Sequence, residues 1–289
     1  MSRQRKIWMK YRIYGALIVT FAFISVAAAQ VIDLTPGAGG IDWSEGVIRV
    51  SGVGHANPYT PPGRRIKTAE QNAKIDLKKN LQRLLKSIRW DAEYLISDLA
   101  MLDLQIDSNI VDLSKKISII DIRYLANSNV EIDAQTLLKY VYQWYPPAIP
   151  DSLRHKHPPD SASLAVDDTL FSEFNWEAFG GIIIDARRLG TNPGLFPKIM
   201  DEAGHILFDV TVVKREFLHQ YGMVGYVDTP EAAKVQKRIS GKSLLIRAKN
   251  ATGKYATDLV IGSAGARKIR AASQSSSLLR EGRVVIMIE

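Results

Sequence analysis

Four acidic side chains crowd one short stretch, Asp167, Asp168, Glu173 and Glu177, and a fifth, Asp185, closes the apolar run Ile182-Ile183-Ile184. Two carboxyl groups about 5–10 Å apart across a sugar cleft are what glycoside hydrolysis requires. The residue types are present, but acids at strand ends are commonly solvated or paired, and no second motif supports a hydrolase. His155-Lys156-His157 sets two imidazoles two positions apart, yet Lys156 repels a cation and no third ligand follows, so the pair reads as exposed. Gly52-Val53-Gly54 resembles the start of a phosphate loop. It lacks the third glycine, and Pro58, Pro61 and Pro62 stand where a helix would have to begin. No G-x-S-x-G elbow, H-E-x-x-H helix or P-loop occurs, and the absence of cysteine excludes thiolate nucleophiles, disulfides and Cys-ligated metals. The expectation is a protein that is not an enzyme, with no catalytic, cofactor-binding or metal-binding residues.

The second chemistry is electrostatic. The 289 residues are 46% hydrophobic and 24% charged, which excludes collagenous and wholly disordered chains, and carry a formal charge of +8. Arg3, Arg5, Lys6, Lys10 and Arg12 precede an uncharged run from Ile13 to Val26 and then Ala27-Ala28-Ala29. Basic, apolar and small-residue parts in that order make a secretory signal peptide over residues 1–29 and a periplasmic location. An uncleaved inner-membrane anchor is the alternative reading, because Ile13 to Ala29 is 17 residues, close to the shortest span that crosses a bilayer. Removal of that segment takes five bases and no acid, lowering the charge to +3. A periplasm-like compartment suits a chain that folds without disulfides.

Most of the remaining positive charge sits on one segment. Leu77, Leu81, Leu84, Leu85, Ile88, Ala92, Leu95 and Ile96 recur at three- and four-residue spacing, predicting one long amphipathic helix from about Ile66 to Leu99. Its other face carries Lys74, Lys78, Lys79, Arg83, Lys86 and Arg89. Between Arg64 and Arg89, nine bases meet two acids. Such a face is either simply solvated or a contact for an anionic partner: cell-wall polymer, anionic membrane surface or acidic protein. Only Trp90 and Tyr94 could stack bases nearby, so nucleic acid is not an expected partner.

Those residues need a scaffold, and the pattern gives an α+β one. A flexible lead at 30–45 precedes an α+β unit at 46–144: a strand at Gly46 to Val53, the long helix, and a hairpin of Ile117 to Leu125 with Val130 to Trp144 about the turn Asn127-Ser128-Asn129. Five of twelve prolines lie between Tyr145 and Ala165, a linker or long loop at 145–165. A β-rich second unit with short helices fills 166–289. Its strands begin with Gly180 to Ile184 and include a hairpin around Asp201-Glu202-Ala203-Gly204, then Gly222 to Val227, Ser243 to Ala248, Tyr255 to Ile261 and Arg283 to Ile288. The closing Val284 to Ile288 does not alternate, as in a strand covered on both faces. Asp185 and Arg187 share a parity, so they form either a structural ion pair or a docking point.

Ile182-Ile183-Ile184-Asp185-Ala186-Arg187, followed by Pro197-Lys198-Ile199-Met200-Asp201-Glu202-Ala203-Gly204 and a terminal Gly282-Arg283-Val284-Val285-Ile286, resembles the bacterial small outer-membrane-associated lipoprotein family and its relative, the N-terminal region of flagellar assembly protein T. The likeness extends over about Gly46 to Glu289 and is strongest from Gly181 to Gly204. Lipoprotein members carry a cysteine at the cleavage site, where this chain has Ala29-Gln30. The resemblance implies a structural or assembly role at the flagellar base or outer membrane, with envelope or flagellar proteins as partners. The alternative expectation is binding of anionic cell-wall or surface polysaccharide by the basic helix face.

Overall fold

A computed structural model describes residues 31–145 and 179–289. The expected signal segment, the proline-rich stretch with its two histidines, and the acids Asp167 to Glu177 lie outside the described residues.

The first sheet is antiparallel, with strands β1 (Ile32–Thr35), β2 (Gly39–Asp42), β3 (Val47–Gly54), β4 (Ser118–Tyr124) and β5 (Val130–Leu137) in the spatial order β1-β2-β3-β5-β4. β1 and β2 form a hairpin where the sequence pattern suggested only a flexible lead. Its alternating apolar residues are too few to signal a strand alone, and pairing with β3 supplies the missing hydrogen bonds. β3 alternates strictly, burying Ile48 and Val50 beneath helix α1 (Pro62–Ser87) and leaving Arg49 and Val53 outside.

Gly52 and Gly54 complete the buried face of β3, and they have a steric reason to be glycine. A Cβ on Gly52 would stand 2.4 Å from the Leu77 nitrogen, and one on Gly54 would stand 1.8 Å from the Ala69 carbonyl oxygen. The two glycines, facing Ala69 and Ala73, let the backbones of strand and helix touch. The glycine pair therefore serves packing.

α1 is shorter than the periodicity suggested. Ile88 is extended, Arg89 bridges to Leu95, and the Asp91 carboxylate accepts the Glu93 and Tyr94 amides at 2.8 and 2.9 Å. Helix then resumes as α2 (Ile96–Leu102) and α3 (Leu104–Leu113). Two non-local hydrogen bonds hold the break: the Leu195 amide donates to the Arg89 carbonyl and the Phe196 amide to the Trp90 carbonyl, each at 2.9 Å. The apolar spacing persists across it because Ala92, Ile96 and Leu99 are buried in either geometry.

β5 likewise ends before its expected limit. Leu138 donates to the Gly46 carbonyl at 2.8 Å, and the chain turns into the short helix α4 (Lys139–Tyr142). Leu138, Val141 and Tyr142 are buried there at helical spacing. The β4–β5 turn is as expected: Asn127 and Ser128 both take left-handed conformations, the twist a tight hairpin favours.

The second sheet is mixed, with β6 (Phe179–Asp185), β7 (Ile199–Asp201), β8 (Ile206–Phe208), β9 (Gly225–Val227), β10 (Lys242–Thr252), β11 (Asp258–Ile261) and β12 (Val284–Met287) in the order β8-β7-β11-β10-β6-β12-β9. β10, β6, β12 and β9 run parallel, while the β7–β8 hairpin and the β10–β11 pair are antiparallel. β12 is the doubly covered strand its composition predicts. Val284 and Ile286 join the main core, while Val285 and Met287 pack with Ile183, Val227, Ala233 and Ile239 on the other side. Ala233 comes from α6 (Pro230–Val235); α5 (Arg215–Tyr221) and α7 (Ser263–Ser275) complete the described helices. The fold class is α+β.

The two sheets share one continuous apolar core. At their seam the Trp90 ring lies 4.6 Å from Phe196, Tyr142 meets Phe196 edge-on at 5.6 Å, and Trp43 meets Tyr226 edge-on at 5.7 Å. The Tyr226 hydroxyl donates to the Gly194 carbonyl at 2.9 Å and accepts the Gly194 amide at 3.0 Å. Asp258 is also buried close to the seam. It accepts the Lys198 amide at 2.8 Å, yet burial, with help from the nearby charges of Asp91 and Glu93, pushes its pKa up to about 6.

Two predictions follow from this packing. Gly54→Ala forces backbone against backbone and should cost about 2 kcal/mol or more, lowering the melting temperature by ~5 °C or more in thermal unfolding. Asp258 binds its proton more tightly folded than unfolded, so its contribution to stability is full below its ordinary pKa of 3.8 and is lost as pH rises to about 6. Asp258→Asn keeps an acceptor for the Lys198 amide and should match the parent protein below pH ~4, then exceed it by about 2–3 kcal/mol at neutral pH in denaturant titrations.

Candidate functional site

Helix α1 exists because its apolar positions match the buried face of β3 and β5, and that match fixes which residues face outward. Lys74, Lys78, Lys79, Arg83 and Lys86 are all exposed on it, joined towards its start by Arg64 and Lys67. At 1.5 Å per residue, Arg64 to Lys86 spans roughly 33 Å. Lys74 is paired with Glu70 four residues earlier, and Lys86 lies 3.4 Å from Asp107 of α3. Arg64, Lys67, Lys78, Lys79 and Arg83 form no ion pair with a described carboxylate. The stripe therefore presents uncompensated charge.

Arg89 does not belong to it. The helix ends at Ser87, and the Arg89 side chain is mostly buried, pairing with Asp33 of β1 and donating to the Pro193 carbonyl at 3.4 Å. It fastens the first sheet to the second. Only its position beyond the break separates it from its neighbours, and the break is set by residues a hundred positions away.

Asp185 and Arg187 do meet. The guanidinium grips the carboxylate through Nε and Nη2, both at 2.8 Å, at the carboxyl end of β6. The Arg187 hydrogen bonds hold the Asp185 pKa below its ordinary value despite partial burial. Each charge satisfies the other. The pair closes the strand end. A similar role falls to Asp201 at the β7–β8 turn, where the Ala203 and His205 amides, the His205 ring and Arg270 all converge on one carboxylate. Burial alone would raise its pKa, but these donors bring it below the ordinary value. Among the described residues no group of three or more His, Asp or Glu side chains is placed to hold a metal ion, and no helix is long and apolar enough to cross a membrane.

A surface that sequence reasoning missed lies at the edge of the first sheet. α1 covers β3 and β5, so β4 is left with little cover and with one edge that no described strand pairs: Ile119 is 49%, Ile120 56% and Tyr124 62% exposed. Ile120 is the extra residue of a bulge against β5. On the open face beside it, Arg123 serves three carboxylates, lying 2.9 Å from Asp121, 3.2 Å from Glu131 and 2.6 Å from Asp133. Hydrogen bonds from Arg123 and Ser51 keep Asp133 below its ordinary pKa although burial acts against it. The edge therefore combines exposed apolar side chains with an excess of negative charge. The strand pattern of Ile117 to Leu125 gives no sign of this, because which strand lies at an edge is a property of the sheet order.

Residues 181–289, covering the second sheet from within β6 through β12, are similar to the family described as the second domain of Treponema pallidum Tp0624. No curated protein matches the chain.

Proposed function

We propose that this chain is an exported, non-enzymatic protein of the bacterial envelope that acts as a structural or assembly component through protein–protein contacts. The observation that carries this reading is the β4 edge, where backbone groups that no described strand pairs and exposed Ile119, Ile120 and Tyr124 stand ready for an added strand. The occupant best suited to it is an extended partner segment with alternating apolar and basic residues, its apolar side continuing the helix-covered face and its basic side meeting Asp121, Glu131 and Asp133. Export to the periplasm rests on the basic, apolar and Ala27-Ala28-Ala29 succession at the start of the sequence. The flagellar base or outer membrane is the setting that the sequence resemblance suggests.

The uncompensated stripe on α1 favours a second reading, in which Lys78, Lys79 and Arg83 lie along an anionic cell-wall polymer, surface polysaccharide or membrane surface. Photo-cross-linking in cells from position 120, compared with position 79, separates the two. On the first reading, one protein is cross-linked from position 120, still so when lysed cells are irradiated in about 0.5 M salt, and Tyr124→Lys abolishes the cross-link while the melting temperature stays within about 2 °C. Cross-linking only from position 79, lost when irradiation is carried out in the same salt, supports the second reading and rejects the first. The mass of the recovered chain tests export: a start near Gln30 is expected, and an intact Met1 in the cytoplasmic fraction overturns it.

A further inference from the structure

The seam between the sheets holds a cavity of about 430 Å³, within the ordinary range for small-molecule sites. Four parts of the chain enclose it: the β2–β3 turn, the start of α4, the approach to β9, and the segment from α6 to Arg238. Its walls are largely apolar, with Trp43, Val224, Tyr226 and Val235 prominent, and Val235 stands 81% exposed at the rim. Set into these walls are three cations, Lys139, Lys237 and Arg238, against one acid, Glu45.

Arg238 is the unusual member. Its guanidinium donates to two main-chain carbonyls, that of Gly282 at 2.8 Å and that of Tyr221, and no described carboxylate pairs with it. Carbonyl dipoles hold the group in place without neutralising it, and burial lowers its pKa to about 10. A partly buried cation is normally matched by an anion, because desolvation is otherwise uncompensated. Tyr142 lines the same cavity, and no described group accepts its hydroxyl. Burial pushes that hydroxyl's pKa up to about 12, so at neutral pH it is a donor. Neither the β4 edge nor the stripe on α1 involves these residues.

We propose that the cavity is a binding site for a carboxylate borne on a compact apolar body, its anionic end held by Arg238 and Tyr142 and its apolar end against Trp43, Val224 and Val235. A free organic acid and the C-terminal carboxylate of a polypeptide share this chemistry, and the neutral amide of either does not.

Isothermal titration of the whole mature chain with 3-phenylpropionate, with an acetylated tetrapeptide ending in free leucine, and with the amides of both tests the assignment. At least one carboxylate should bind with a dissociation constant at or below about 1 mM, its amide at least about 10-fold more weakly. Binding of phenylpropionate alone assigns a small-molecule site; binding of the tetrapeptide alone assigns a chain terminus. Arg238→Gln should weaken the bound carboxylate by about 10-fold or more. Because Arg238 also ties two carbonyls, Val235→Trp provides the independent variant: it fills the mouth from an exposed position and should abolish binding while leaving the unfolding curve unchanged. Equal affinity for acid and amide, undiminished binding in Val235→Trp, or no binding by either carboxylate at about 10 mM overturns the proposal.

Discussion

The contact on which the arrangement depends is that between two backbones, β3 at Gly52 and Gly54 and α1 at Ala69 and Ala73. Where a strand and helix approach this closely, the helix has little freedom to slide or roll, since the glycine and alanine positions between them carry at most a methyl group. α1 is thereby held over β3 and β5, its leucines committed to the core and its lysines to solvent. The same placement leaves β4 uncovered. The exposed edge and the basic stripe are two results of one steric fit, which explains why surfaces of opposite charge occur on a single small sheet.

The second sheet is organised by coverage on both faces. Ile182, Ile184, Val284 and Ile286 enter the large core, while Ile183, Val285 and Met287 face the small cluster around Ala233 and Ile239. Parallel strands tolerate this because their backbone groups are satisfied within the sheet and every side chain can be apolar. Polar chemistry is pushed to the ends and the seam. Asp185 and Asp201 are each met by an arginine there, whereas Asp258 and Arg238 are held by main-chain groups and form no ion pair with a described side chain. The first two are stabilised in their charged form and lose that contribution only in acid, whereas burial of the last two opposes their charge at neutral pH.

Much of this was legible in the sequence wherever local pattern decided the outcome. The alternation of Val47 to Val53, the turn at Asn127-Ser128, the β7–β8 hairpin around Asp201 to Gly204 and the unbroken apolarity of Val284 to Ile288 all correspond to observed elements. The exposure of Lys78, Lys79 and Arg83 and the meeting of Asp185 with Arg187 were legible for the same reason. Features set by distant neighbours were not. The end of α1 is fixed by hydrogen bonds from Leu195 and Phe196, and the end of β5 by packing of Tyr142 on Phe196. The strand order that exposes β4, and the seam that encloses Arg238, depend on how separated segments assemble, which periodicity does not encode.

The interruption at Arg89 and Trp90 also bears on modularity. The segment resembling a named domain contributes Leu195, Phe196 and Tyr226 to the seam, and in this chain Trp43, Trp90 and Tyr142 of the preceding unit line the other side. Taken alone, the segment presents an apolar strip together with two main-chain amides, those of Leu195 and Phe196, and the preceding unit of this chain supplies both the aromatic rings and the carbonyls that meet them. In this chain it is the early end of α1 that frees the Arg89 and Trp90 carbonyls to accept the Leu195 and Phe196 amides.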